Sequence, residues 1–110
     1  MFLFTIYRHK MSKEELFNIV IDLVADTTGV SRECILTSKC EESTDARSIA
    51  VKVLSRYLTD VQIGGLLGIT TRGVNYIRNT FSLRSAKWFV RSNYEAVLKQ
   101  LGSNALIGSG

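Results

Sequence analysis

Arg72, Asn75, Tyr76 and Asn79 recur at three- and four-residue steps, a spacing that gathers side chains on one face of a helix. Each carries chemistry suited to a base edge in the DNA major groove. Arginine donates two hydrogen bonds to guanine, asparagine pairs bidentately with adenine, and tyrosine packs on a thymine methyl or donates to phosphate. Thr70 and Thr71 stand at the head of the same run and join the base-reading candidates, one of them also serving as the helix cap.

A helix that reads bases must be held out from its domain, and the stretch Asp60 to Asn79, DVQIGGLLGITTRGVNYIRN, supplies the means. It reads as a helix-turn-helix. Ile63, Leu67, Ile69, Val74 and Ile77 are its apolar positions, and Val74, Ile77 and Phe81 form the buried face of the second helix. Gly64 allows the two helices to approach closely, and Gly68 supplies the permissive backbone of a tight turn. Gly73, inside the second helix, costs about 1 kcal/mol relative to alanine, which close packing against backbone or DNA would justify. The alternative is an ordinary αα-hairpin with a solvated outer face.

The rest of the chain reads as helices that support this pair. Ser12 and Glu15 have capping-box spacing, and Leu16, Ile19, Val20, Leu23, Val24 and Thr27 trace the face of the helix they begin. Gly29 ends it. Ser31 caps a short helix carrying Cys34, Ile35 and Leu36, and Thr37–Ser43 reads as a loop. Thr44 or Asp45 begins a third helix with Ala46, Ile49, Ala50, Val53, Leu54 and Tyr57 on its core face. Thr59 and Gln62 make a second capping box, which opens the helix-turn-helix. A last helix from about Leu83 to Leu101 stacks Val90, Tyr94, Val97, Leu98 and Leu101, with Trp88 and Phe89 closing the core. The expected fold is therefore all-α, a small domain of about five to six helices spanning residues 12–101 around a central helix-turn-helix. Residues 1–11 are expected as an N-terminal arm or upstream extension and 102–110 as a flexible tail.

Composition narrows the function classes. The chain has 110 residues, no proline, 45% apolar residues and a net charge of +4, within the range of one domain with one modest core. Residues 1–29 and 30–60 are nearly balanced in charge, whereas beyond residue 60 Arg72, Arg78, Arg84, Lys87, Arg91 and Lys99 stand against Glu95 alone. A basic half that contains the helix-turn-helix suits a polyanion, and Arg78 and Arg84 are candidates for phosphate neutralisation. Cys34 and Cys40 form no metal or disulfide framework, and Cys34 is expected as a small buried apolar residue. His9 has no metal or catalytic companions, and there is no P-loop, dinucleotide turn or nucleophile motif. Neither enzymatic activity nor a cofactor or metal is expected. The apolar start MFLFTI is too short to span a membrane, and a cytoplasmic, nucleoid-associated protein is expected.

Val30-Ser31-Arg32-Glu33-Cys34-Ile35-Leu36, Asp45-Ala46-Arg47-Ser48-Ile49-Ala50, Leu58-Thr59-Asp60 and Ile63-Gly64-Gly65-Leu66-Leu67-Gly68 occur in that order. Together they resemble the C-terminal DNA-binding domain of DnaA-type replication initiators, over roughly residues 15–101. The resemblance implies a small all-helical domain with a central helix-turn-helix, and implies that Arg47, in the Asp-Ala-Arg segment, contacts DNA phosphate. The family's glycine-arginine-aspartate-histidine-threonine signature is replaced by Gly68-Ile69-Thr70-Thr71-Arg72-Gly73, one residue shorter. The initiator's own recognition sequence is therefore not the expected target. The family's basic loop is Lys39-Cys40-Glu41-Glu42 here, whose carboxylates would repel phosphates in a minor groove. The initiator's ATPase portion is absent, so ATP-dependent helicase loading is not expected.

The expected function is sequence-specific binding of double-stranded DNA in replication or transcription control, with the helix near residues 71–80 in the major groove. A protein-interaction module that kept the fold and lost DNA binding is the alternative. A ligand-responsive repressor resembling the tryptophan repressor is a third reading, although no small-molecule site is identifiable. A monomer or weak homodimer is expected, since no heptad zipper is present.

Overall fold

Ser12, Ser31, Thr59 and Thr70 each accept a backbone N–H from three residues further on, and each thereby starts a helix. At Ser12 and Thr59 the third helical residue, Glu15 or Gln62, reaches back to complete a capping box. The computed structural model describes residues 11–109, with side chains through Gly102; most of the expected N-terminal arm lies outside the described residues. Six helices follow: α1 (Lys13–Thr28), α2 (Arg32–Thr37), α3 (Glu41–Leu54), α4 (Asp60–Leu67), α5 (Thr71–Arg84) and α6 (Trp88–Ser109). Among the described residues there is no strand, and no helix is long and apolar enough to cross a membrane. The fold is the all-α domain its caps and stripes foretell.

Helix α3 is the hub, packing against α1, α2, α5 and α6. Ala46, Ile49, Ala50, Val53 and Leu54 are fully buried as expected, and so is Val51. A helix with neighbours on several sides buries more than one stripe. Phe17, Val20, Ile21 and Val24 of α1, Ile35 of α2, Ile63 of α4, Val74 and Phe81 of α5, and Val90, Val97 and Leu101 of α6 complete one buried core with it. Phe81 and Tyr94 meet edge to face, with ring centres 4.9 Å apart, an arrangement that favours aromatic pairs beyond their buried area.

Several sequence expectations are corrected. The Thr37–Ser43 stretch is not all loop, because α3 begins at Glu41, with Cys40 at its N-cap. The two glutamates then sit in the first turn, where a helix favours negative charge. Cys34 is exposed, since a six-residue helix that buries Ile35 turns its neighbour outward. Tyr57 is 55% exposed, because α3 stops at Leu54 and the tighter turn from Ser55 breaks the helical period. Leu83 belongs to α5, and Trp88 opens α6 at 73% exposure instead of closing the core; Phe89 does pack against it. Helix α6 runs on from Leu101 to Ser109.

The two glycines of α4 differ sharply. A Cβ on Gly64 would lie 2.8 Å from the Ile69 carbonyl oxygen, whereas one on Gly65 meets nothing within 4 Å. Gly64→Ala is expected to destabilise the domain by about 1–3 kcal/mol through overpacking. Gly65→Ala is expected to be neutral or stabilising by up to about 1 kcal/mol. Urea unfolding midpoints of the two variants against wild type check both.

Candidate nucleic-acid interface

The turn between α4 and α5 is fixed by backbone geometry. Gly68 is left-handed at φ 75°, and its N–H bonds the Gly64 carbonyl at 2.8 Å; Ile69 N–H reaches the same carbonyl at 3.0 Å. Two donors on one carbonyl end α4 within its last turn. Thr70 then turns extended, and its Oγ1 accepts the Gly73 N–H at 3.0 Å. Val74, fully buried, brings its Cγ2 to 3.5 Å from where a Gly64 Cβ would stand. These contacts set the angle at which α5 leaves the domain.

At 100° per residue, Arg72, Tyr76, Asn79 and Leu83 line the outward face of α5, and all four are exposed. Tyr76 is 66% and Leu83 76% exposed, large values for apolar or amphipathic side chains in a small domain. Thr71 is exposed beside Arg72, while the Thr70 oxygen is engaged in the cap. The first turn of α5 contains no acidic residue, and among the described residues no carboxylate pairs with Arg72. The sequence grouping of Arg72, Asn75, Tyr76 and Asn79 is therefore only partly one surface, because Asn75 sits at the edge and faces α4.

What holds Asn75 there is Asp60, the first residue of α4. Its Oδ2 accepts from Asn75 Nδ2 at 3.0 Å and from Arg78 Nη2 at 2.9 Å, and its Oδ1 accepts from Arg78 Nε at 3.2 Å. Asn79 Nδ2 in turn donates to Asn75 Oδ1 at 2.9 Å. The Arg78 hydrogen bonds first, and then the Asn75 bond, hold the Asp60 carboxyl below its ordinary range, while Asp60 holds Arg78 above its own. Sequence reasoning missed Asp60 as part of this surface. The available signal was that it is the sole acidic residue between Asp45 and Glu95, so cations on α5 have few carboxylates to choose from.

The three phosphate candidates are all engaged within the fold. Arg47 Nε donates to the Ile35 carbonyl at 2.7 Å and Nη2 to the Ser38 carbonyl at 2.5 Å. It is half-buried, and burial lowers its pKa. It caps the C-terminal end of α2, where a helix favours positive charge. Arg78 is bound by Asp60. Arg84 pairs with Asp45 at 2.8 Å, and Lys87 bonds the other Asp45 oxygen at 2.7 Å as well as Glu41. Asp45 and then Glu41 raise the Lys87 pKa. Three of the six cations beyond residue 60 are thus paired with carboxylates at Asp60 or earlier in the sequence. Among the described residues no group of three His, Cys, Asp or Glu could hold a metal ion.

Arg47→Ala leaves two carbonyls without their donor and is expected to cost about 1–3 kcal/mol of stability, readable as a lowered urea midpoint. Because folding depresses the Asp60 pKa, its contribution is whole above about pH 4 and is lost as pH falls through the folded value. The stability gap between wild type and Asp60→Asn is therefore expected to be widest near neutrality and to close below about pH 4, as urea midpoints across an acid titration would reveal.

No family model, curated protein or solved structure matches this chain, so its function is to be read from its own residues.

Proposed function

We propose that the chain is a sequence-specific binder of double-stranded DNA that lays α5 in the major groove, in a replication- or transcription-related regulatory role at the nucleoid. The observation that carries this reading is the outward stripe of Arg72, Tyr76 and Asn79 on a helix launched by the Gly68 turn. Helix α5, 14 residues and roughly 20 Å long, has the diameter of about 10–12 Å that a major groove about 12 Å wide admits. Arg72 sits at the second helical position, where the helix dipole already presents positive charge and no carboxylate offsets it. An anionic or acceptor-rich partner relieves both. Arg72 suits guanine, Tyr76 a thymine methyl and Asn79 adenine. The segments that resemble DnaA-type DNA-binding domains support the same use of the scaffold, and the replaced signature points to a different target sequence.

A second reading, a protein-interaction module, is favoured by one specific observation. Leu83 and Trp88 flank the α5–α6 turn at 76% and 73% exposure, and large exposed apolar side chains mark contact surfaces.

Selection from random duplexes at stated salt separates the readings. DNA reading is expected to enrich a defined sequence, on which Arg72→Ala and Asn79→Ala each weaken binding by about 1–3 kcal/mol and relax preference at one base position. Enrichment of nothing, with weak salt-sensitive binding that ignores both substitutions, would leave the interaction module as the better reading.

A further inference from the structure

The hydrogen bonds around Asp60 have a direction imposed by chemistry. An ionised carboxylate accepts and cannot donate, so the Asn75 amide must turn its Nδ2 toward Asp60. That leaves Asn75 Oδ1 facing the next side chain, which must then offer a donor. Asn79 does so through its own Nδ2. One acceptor at the base of the chain thus fixes the orientation of two amides, each of which is otherwise free to flip. Arg78 reinforces the arrangement by gripping Asp60 through two nitrogens, which holds the carboxylate against α5. Asp60 is mostly shielded, its side chain 19% exposed, whereas Asn79 at the far end is exposed.

Resting on the DNA-reading function proposed above, we infer that Asp60 is a positioning residue for base recognition: through Asn75 it orients Asn79 so that Oδ1 faces the groove and selects a base with an exocyclic amine, adenine before cytosine. The outward oxygen accepts from adenine N6 or cytosine N4, and the Nδ2 proton not given to Asn75 is left to donate to adenine N7. Guanine and thymine present acceptors, O6 and O4, to that same oxygen and are rejected. Asn75, with its amide nitrogen and oxygen both engaged, supports the reader and does not itself touch a base. Arg78 serves the same chain and is not a phosphate ligand.

Asp60→Asn tests the direction of the chain without changing its shape, because an amide at position 60 can accept or donate and no longer dictates which way Asn75 turns. Full-length wild type, Asp60→Asn, Asn75→Ala and Asn79→Ala, each shown folded by circular dichroism, are compared on the sequence enriched by wild type and on its single-base variants. Wild type is expected to prefer adenine at one position by about 5- to 150-fold over guanine or thymine. All three substitutions are expected to reduce that preference to about 2-fold or less there, while preference at the Arg72 position persists. In the free proteins, the side-chain amide protons of Asn79 are expected to exchange with solvent faster in Asp60→Asn than in wild type. Wild-type discrimination retained by Asp60→Asn and Asn75→Ala overturns the inference alone, as does a guanine or thymine preference at the position that Asn79→Ala relaxes. No enriched sequence for wild type overturns the DNA-reading function and this inference with it.

Discussion

The constraint on which the rest depends is a close approach of backbone to backbone, where α4 passes over the turn that leads into α5. With no side chain on Gly64, the Ile69 carbonyl oxygen comes within 2.8 Å of where a Cβ would otherwise sit. Everything on the outward face of α5 inherits its position from that contact. Val74 fills the remaining space and ties α5 to the core, and the left-handed Gly68 makes the turn short enough to keep the contact. The exposed stripe is thus presented by a rigid junction, and not by a flexible loop.

Electrostatics acts more to lock helices together than to decorate the surface. Asp60 joins α4 to α5, and Asp45 joins α3 to the end of α5 and to the turn that precedes α6. Such partly shielded, hydrogen-bonded pairs hold geometry more firmly than exposed ones, which are worth little. The basic second half of the sequence is consequently less basic as a surface. Among the described residues Arg72, Arg91 and Lys99 make no ion pair, and with Glu95 as the one carboxylate on α6 they carry the remaining positive charge.

Local chemistry made much of the fold readable from the sequence. Ser12, Ser31, Thr59 and Thr70 cap their helices, Gly29 and Gly68 take the left-handed backbone, and the apolar stripes of α4 and α5 are buried at Ile63, Val74 and Phe81. Features decided by distant partners were not readable. The burial of Val51 depends on how many helices surround α3, and the exposure of Trp88 on where α5 ends. Within the candidate site, Arg72, Tyr76 and Asn79 lie on one exposed face as their spacing implies. The engagement of Arg47, Arg78 and Arg84 depends on groups 9 to 39 residues away, and helical spacing carries no information at that range.

Asp45 is nearly enclosed, at 3% exposure, and serves two cations at once. Its position makes three charges a single unit. Removing either Arg84 or Lys87 leaves the carboxylate one partner, whereas removing Asp45 strands two cations together, with Glu41 alone to answer them. Substitutions at these sites should not combine additively. The order in which they are introduced then matters, because a path through loss of the carboxylate crosses a deeper stability trough than one through loss of a cation. The α3–α5–α6 junction is in this sense resistant to piecemeal redesign, while the outward stripe of α5, joined to the core through fewer bonds, is left freer to vary.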